Sequence, residues 1–237
     1  MKKLTTKDIK KIPRSFDVIG DILVFSEIPS ELIKKERKVG EYMLSKLKNI
    51  KVVALKIGFH KGIYRTRKIK IIAGENRKET IYKENNARFK LDVDKCYFSP
   101  RWSNERLRIS KLIKKNENIL VMFSGIGSFI FVILRNSSPK SITGIELNKT
   151  AHKYAFENIK LNRFDGKKLV LIKWDVKKIM PKLKTKFDRI LMPLPKDSEK
   201  YLDLAVEKIK QKGIIHYYTF LEESENWNEK IKQIFSK

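Results

Sequence analysis

The stretch Ile119-Leu-Val-Met-Phe-Ser-Gly-Ile-Gly-Ser-Phe-Ile130 decides the fold, because it reads as a buried strand, a glycine turn and the start of a helix. In such a turn a glycine lets the backbone approach a ligand at the carboxyl end of the strand. Gly125 and Gly127 alone fit a plain tight turn equally well. The next strand, however, ends at Glu146, about 20 residues further on, where a ribose diol needs an acceptor. Together the glycines and this acid predict a nucleoside pocket.

Strands and helices alternate around this stretch. The predicted strands cover residues 119–123, 141–146, 169–174, 189–192 and 213–220, with helical segments between them. This alternation is typical of a Rossmann-like α/β domain with a mostly parallel sheet, which we assign to residues 105–237. Before residue 105, short apolar runs separated by glycines and charges predict a smaller α+β domain over residues 1–104, with one helix over 29–47.

Two further strand ends contribute to the predicted pocket. Asp175 closes the strand at 169–174, although an acid there, like Glu146, also fits a helix N-cap or a solvated loop. Pro193 and Pro195 follow the strand at 189–192 and make a stiff turn, or else they simply end an edge strand. The predicted cofactor-binding residues are Phe123, Gly125, Gly127, Glu146, Asp175 and Pro193.

The charge points to a polyanionic partner. Lys and Arg number 54 against 27 Asp and Glu, a net charge of +27 that is spread over the whole chain. Nucleic acid is the favoured partner, with an acidic membrane surface and simple solubility as the alternatives. No apolar run approaches the roughly 20 residues of a membrane span, so a cytoplasmic protein without membrane attachment is expected. A lone Cys96 and scattered histidines predict neither a disulfide nor a metal site.

Several motifs along the chain carry a family resemblance. They lie at residues 17–21, 71–75, 90–101, 104–106, 125–127, 157–162 and 213–218. With these motifs the chain resembles the archaeal and eukaryal tRNA (guanine-37-N1)-methyltransferases and their relatives in wyosine biosynthesis. The resemblance implies a class I methyltransferase fold, S-adenosyl-L-methionine as the cofactor and tRNA as the partner.

The resemblance also assigns roles to individual residues. Glu105 would be the general base that removes the guanine N1 proton, and Arg65 would hold O6, where negative charge collects as the proton leaves. Four further residues would hold the nucleotide or shape the pocket: Tyr97, Arg101, Arg106 and Pro195. A surface ion pair between Glu105 and Arg106 is the alternative for this segment. Residues 216–218 are expected to be strand and core residues.

The chain departs from the family pattern in four places. Val121 stands where an acid often precedes the glycine turn, and Pro193-Leu-Pro195 replaces an Asn-Leu-Pro segment. With Pro193-Leu-Pro195 the chain is more similar to the branch of the family whose members can also methylate C7 of the wyosine precursor. The small tRNA-elbow domain of many relatives and the last strands of the sheet are expected to be missing.

Two other functions fit part of this pattern. A relative with the same pocket would transfer the aminocarboxypropyl group of the same donor, and a decayed relative would bind RNA without catalysis. Retention of Glu105 argues against the first, because alkylation at carbon need not use that base in the same way. Product mass separates the two enzymes, and donor affinity separates both from a decayed relative.

Overall fold

The computed structural model describes residues 4–58, 64, 66–194, 196–220, 226, 228–229 and 232. Its N-terminal part is a four-stranded sheet of β1 (Asp17–Ile19), β2 (Ile22–Phe25), β3 (Val52–Lys56) and β4 (Ile69–Gly74), in that order. The central pair is parallel and the two outer pairs are antiparallel. These strands confirm the apolar runs predicted in this part of the chain.

Three helices accompany the N-terminal sheet: α1 (Thr6–Lys10), α2 (Ser30–Ile33) and α3 (Glu36–Lys46). The single helix predicted over residues 29–47 is therefore wrong. It is interrupted at Lys35, whose φ of −116° and ψ of 12° lie outside the helical region. Leu32 before the break and Val39 after it are both buried in the same apolar cluster against the sheet, so the two short helices share one core.

The C-terminal part is a five-stranded parallel sheet with helices between its strands. Its elements are α4 (Ser103–Leu112), β7 (Asn118–Met122), α5 (Ser128–Asn136), β8 (Ser141–Glu146), α6 (Lys149–Leu161), β9 (Leu169–Lys173), α7 (Val176–Ile179), β10 (Phe187–Met192), α8 (Leu202–Lys208) and β11 (Ile209–Tyr217). The strand order β11-β10-β7-β8-β9 confirms the predicted Rossmann-like fold.

The chain order of this sheet reverses at β7. The strands that follow it build outward through β8 and β9 on one side, and then through β10 and β11 on the other. Ligands of open α/β sheets bind at such a switch point, at the carboxyl ends of the strands. Apolar side chains of β7 fill the cores on both faces of the sheet, since Ile119 and Val121 lie in one cluster and Leu120 and Met122 in the other.

A β-hairpin between the two sheets was missed by the sequence analysis. It consists of β5 (Glu79–Glu84) and β6 (Ala87–Asp92), joined at Asn85 and Asn86, whose φ angles of 45° and 64° are left-handed. Consecutive positive φ values are what a two-residue hairpin turn with the twist of its strands requires, and Asn tolerates them better than most residues.

Two buried asparagines, Asn158 of α6 and Asn162 at its C-cap, fix this hairpin to the C-terminal part. The Asn158 amide oxygen accepts the Lys90 N–H at 2.7 Å, and the Asn162 amide pairs with both the N–H and the carbonyl of Arg88 at 2.9 and 2.7 Å. The two side chains thus bond β6 as a neighbouring strand would. The division of the chain at residue 104 stays a prediction.

No helix among the described residues is long and apolar enough to cross a membrane.

Candidate active site

The glycine turn after β7 has the backbone geometry that its sequence predicts. Phe123, Gly125 and Gly127 have φ angles of 55°, 56° and 84°. A Cβ at Gly127 would lie 2.4 Å from the Phe131 ring, so this glycine is needed for close packing of α5. A Cβ at Gly125 would meet no atom within 4 Å. Gly125 therefore faces open space at the strand end, where a ligand has room to approach the backbone.

Glu146 joins this turn to the end of β8. One of its carboxylate oxygens accepts the Gly125 N–H at 2.7 Å and the other accepts the Asn148 N–H at 2.6 Å. Burial raises the pKa of Glu146 above its ordinary value, against the lowering effect of these backbone donors. The backbone N–H of Leu147 also acts on this carboxylate, and a carboxylate has about four lone-pair sites, so one site remains for a ribose hydroxyl.

The remaining predicted cofactor residues lie at the same edge of the sheet. Asp175 follows β9 and accepts the Lys177 N–H at 2.9 Å, which confirms that it is the N-cap of α7. The Phe123 ring contacts the Tyr201 ring with 4.9 Å between centroids. Pro193 follows the last residue of β10. Since parallel strands end together, all six predicted residues meet at one edge, and their glycine backbone, acids and aromatic ring suit a charged nucleoside.

Glu105 lies in the first turn of α4, beside this edge. Its carboxylate accepts the Tyr218 hydroxyl at 2.6 Å and two N–H groups of Arg108 at 2.7 and 2.8 Å. The Tyr218 ring packs against Trp102 and Phe129, at centroid distances of 5.0 and 6.4 Å, and these two rings also contact each other at 6.0 Å. Because Phe129 lies in the first turn of α5, just after the glycine turn, this aromatic cluster brings Glu105 close to the cofactor turn.

The partners of Glu105 lower its pKa. The hydrogen bonds from Arg108 have the largest effect, and the Tyr218 hydroxyl adds to it, while partial burial acts in the opposite direction. Both partners favour the ionised carboxylate.

Arg106, the next residue, points elsewhere. Its side chain is 3% exposed and forms a two-point ion pair with Glu84 of β5, with 2.7 Å for one of the two contacts. It also donates to the Ser99 carbonyl at 3.1 Å and covers the Phe98 ring. The alternative of an ion pair between Glu105 and Arg106 is therefore wrong. Arg106 fixes the segment before α4 to the hairpin, so the role that remains for it is to shape the pocket through that segment.

Other predicted substrate residues lie on the segment between the hairpin and α4. Arg101 is 64% exposed and pairs with Asp17 of β1 at 2.9 Å, which ties the N-terminal sheet to this segment. Tyr97 is about half exposed. The Asn148 side chain donates to the Lys95 carbonyl at 2.9 Å, so the same segment is attached to the end of β8. Arg65 and Pro195 lie outside the described residues.

Sequence analysis missed the residues that hold Glu105 and Arg106. The spacing of Glu105 and Arg108, three residues apart on a helix, was an available signal for their pair. Tyr218 was expected in the core, and its hydroxyl contact to Glu105 gives it a place in the site. His216, two residues earlier in β11, contacts Arg189 at 2.7 Å, and burial together with that arginine lowers the pKa of His216 to about 4.

The fold and this site define a class I methyltransferase that uses S-adenosylmethionine. The TRM5/TYW2 methyltransferase domain matches residues 80–237, and the TYW2 N-terminal domain matches residues 1–77. The chain belongs to the TRM5/TYW2 methyltransferase family, as the sequence motifs predicted.

Individual relatives agree with this assignment. The tRNA (guanine(37)-N(1))-methyltransferase Trm5b of Pyrococcus abyssi is 39% identical over 95% of this chain and 67% of its own length. A tRNA(Phe) (4-demethylwyosine(37)-C(7)) aminocarboxypropyltransferase of Methanocaldococcus jannaschii is 33% identical over 92% of this chain and 83% of its own.

Solved structures show the same fold with ligands. The complex of aTrm5 with tRNALeu has a TM-score of 0.84 and 35% identity, covering 97% of this chain and 66% of that one. M. jannaschii TYW2 in complex with AdoMet has a TM-score of 0.66 and 28% identity, covering 94% and 85%. The chain thus spans about two thirds of its Trm5 relatives, and S-adenosylmethionine is confirmed as the cofactor of this fold.

Proposed function

We propose that the protein transfers the methyl group of S-adenosylmethionine to N1 of guanosine 37 in tRNA, in the cytoplasm. The observation that carries this proposal is the position of Glu105, a carboxylate held next to the cofactor turn through Tyr218 and Phe129. The names of the Trm5 relative and of the tRNA-bound structure support the choice of acceptor.

The chemistry requires a base and a cation around the guanine. N1 is a weak acid, so Glu105 accepts its proton while Arg65 holds O6, where negative charge develops. S-adenosylmethionine supplies an activated methyl group on its sulfonium. Gly125 leaves room for this donor, and Glu146 fixes the turn and accepts from the donor ribose. Methyl transfer is an in-line displacement, so the main task of these residues is orientation.

The charge of the protein supports binding to tRNA. A surplus of 27 positive charges supplies sequence-independent affinity for phosphates, and this affinity falls steeply as salt rises. Recognition then depends on the shape of the tRNA and on a target base taken out of its stack. We assign contacts with the nucleotide to Tyr97 and Arg101, and their exposure on the segment before α4 supports this assignment.

The test is to incubate the protein with an unmodified tRNA transcript and S-adenosylmethionine, and to determine the mass and position of any modified nucleoside. We expect a gain of one methyl group at N1 of guanosine 37. The Glu105→Gln variant is the matched control, since it should bind the donor and give no product within the time in which the wild type completes the reaction. A methyl group at any other nucleotide contradicts the proposed acceptor.

A second candidate function is transfer to C7 of the wyosine precursor. It is favoured by the match of residues 1–77 to the TYW2 N-terminal domain and by the aminocarboxypropyltransferase relative. tRNA that carries the precursor at position 37 distinguishes these reactions, because a methyl and an aminocarboxypropyl group differ in mass. Absence of both donor binding and product on either tRNA would favour the non-catalytic alternative, whereas donor binding without product would point to a different RNA or a missing partner.

A further inference from the structure

Three hydrogen bonds occupy most of the Glu105 carboxylate. Oε1 accepts the Tyr218 hydroxyl at 2.6 Å and one Arg108 amine at 2.8 Å, and Oε2 accepts the Arg108 Nε–H at 2.7 Å. A carboxylate has about four lone-pair sites, so Oε2 keeps one for the N1–H of a guanine. The geometry that holds Glu105 is therefore compatible with its work as a base.

The two partners of Glu105 differ in how firmly they are fixed. The Tyr218 ring packs against both Trp102 and Phe129, and the Tyr218 backbone carbonyl accepts the Ser198 hydroxyl at 2.7 Å. The Arg108 side chain is 57% exposed. An exposed ion pair contributes little to stability, so Arg108 can exchange the carboxylate for another anion at small cost, while Tyr218 cannot move without repacking.

The positive charge of Arg108 disfavours the transfer of the guanine N1 proton to Glu105. The N1–H proton moves to Oε2, the N1 electron pair forms the bond to the methyl carbon, and the pair of the broken carbon–sulfur bond stays on sulfur. Glu105 loses its charge in this step, and a guanidinium beside it opposes that loss. A backbone phosphate of bound RNA is a two-point acceptor for the same guanidinium.

We propose that Tyr218 is the positioning residue of Glu105, and that Arg108 is a counter-ion which a phosphate of the bound tRNA removes from it. This inference rests on the proposed function. Tyr218 keeps the carboxylate oriented in both states. Before RNA binds, Arg108 keeps the Glu105 carboxylate ionised. When Arg108 moves to a phosphate, the pKa of Glu105 rises, so Glu105 becomes a stronger base only when the RNA backbone is bound.

Other charged groups near Glu105 do not replace Arg108 among the described residues. His216 of β11 faces the same site, but its pKa is lowered to about 4, so it is neutral above that pH. Arg189 of β10 lies behind His216 and is paired with Glu117 at 2.8 and 2.9 Å. Arg108 is thus the cation whose removal changes the pKa of Glu105 most.

The pH dependence of the rate tests the removal of Arg108. The acid limb of kcat/KM for tRNA reports Glu105 in the free enzyme, and the limb of the single-turnover rate at saturating tRNA reports it in the complex. In the wild type we expect the second limb at higher pH than the first. In Arg108→Gln the acid limb of kcat/KM should move to higher pH until it coincides with the acid limb of the single-turnover rate. Superimposed limbs in the wild type overturn the removal of Arg108 by RNA.

A pair of adjacent tyrosines tests the role of Tyr218. Tyr218→Phe should lower the single-turnover rate about tenfold or more and move both acid limbs to higher pH, with the KM for S-adenosylmethionine unchanged. Tyr217→Phe is the matched control, because the Tyr217 hydroxyl is buried and has no hydrogen-bond partner. Equal rates and limbs in the wild type, Tyr218→Phe and Tyr217→Phe overturn the positioning role.

A titration of the Glu105 carboxyl by carbon NMR, without RNA, separates this inference from the proposed function. Its pKa should be lowest in the wild type and in Tyr217→Phe, and higher in Tyr218→Phe and Arg108→Gln. A wild type that methylates tRNA while all four pKa values agree overturns this inference alone. A wild type that shows these pKa differences but does not methylate tRNA overturns the proposed function and the role of RNA, while the hold of both partners on Glu105 stands.

Discussion

Two carboxylates lie at the site, and their surroundings differ. Glu146 is held by backbone N–H groups of Gly125 and Asn148, and burial raises its pKa. Glu105 is held by side chains, one of them exposed, and Arg108 lowers its pKa. Backbone donors move only with the fold, whereas an arginine side chain can leave. On the roles that we propose, Glu146 is therefore a fixed acceptor for the cofactor, and Glu105 is a base whose strength changes when Arg108 leaves.

The largest effect is expected for Glu105→Gln. The amide cannot accept the N1 proton, so the single-turnover rate should fall by about 10²–10⁴-fold, the usual contribution of a positioned base. Calorimetric affinity for S-adenosylmethionine should stay within about twofold, because Glu105 does not hold the turn. Loss of donor binding together with activity would show that Glu105 belongs to the cofactor region.

The stability of the buried Arg106–Glu84 ion pair, which lies next to Glu105 in the chain, is tested by Glu84→Gln. This change leaves the Arg106 guanidinium buried without its counter-charge, and breaking a buried pair costs about 3–5 kcal/mol of unfolding free energy. Urea unfolding measures it. Glu41→Gln is the control, since its pairs with Arg37 and Lys38 on α3 lie at the surface and contribute little to stability. Similar losses in both variants would contradict the buried role of Arg106.

Donor binding should depend on pH through Glu146. Because the pKa of Glu146 is raised, its carboxylate takes up a proton at a higher pH than an ordinary glutamate does. Affinity for S-adenosylmethionine should therefore fall as pH drops through this raised pKa and recover above it. Glu146→Gln should lose about tenfold in affinity at neutral pH and show no such dependence. An unchanged pH dependence in that variant would assign the titration to another group.

The smallest effect is expected for Asp175→Asn. Asparagine keeps the N-cap of α7, so the thermal midpoint should not change. Donor affinity should fall by less than about tenfold through loss of the charge on one hydrogen bond. Unchanged affinity would leave Asp175 with the cap alone. Asp175→Ala also removes the N-cap, so it should lower the unfolding free energy by about 0.5–2 kcal/mol.

Sequence analysis predicted the parts of the site that are local in the chain. The strand, glycine turn and helix around Gly125 follow from residue type and periodicity, and Glu146 follows from its spacing to that turn. The same is true of Asp175 after β9 and of Pro193 after β10. Each of these features depends on the order of elements in one parallel sheet, which the alternating pattern reveals.

Pairings between distant segments could not be predicted in this way. Arg106 pairs with Glu84, and Tyr218 reaches Glu105 from 113 residues away. Both contacts arise only when the hairpin and β11 pack against α4, and neither pair has a spacing signal. The break at Lys35 was likewise missed, because polar residues with good helix propensity surround it and tertiary packing decides it.

The division of work between the two carboxylates is tested most directly by measuring the single-turnover rate of tRNA methylation against S-adenosylmethionine concentration. The wild type, Glu105→Gln and Glu146→Gln are compared under the same conditions. We predict that Glu146→Gln approaches the wild-type rate when the donor is saturating, and that Glu105→Gln stays slow at every concentration. Rescue of Glu105→Gln by excess donor, or a Glu146→Gln rate that saturates far below the wild type, would contradict this division.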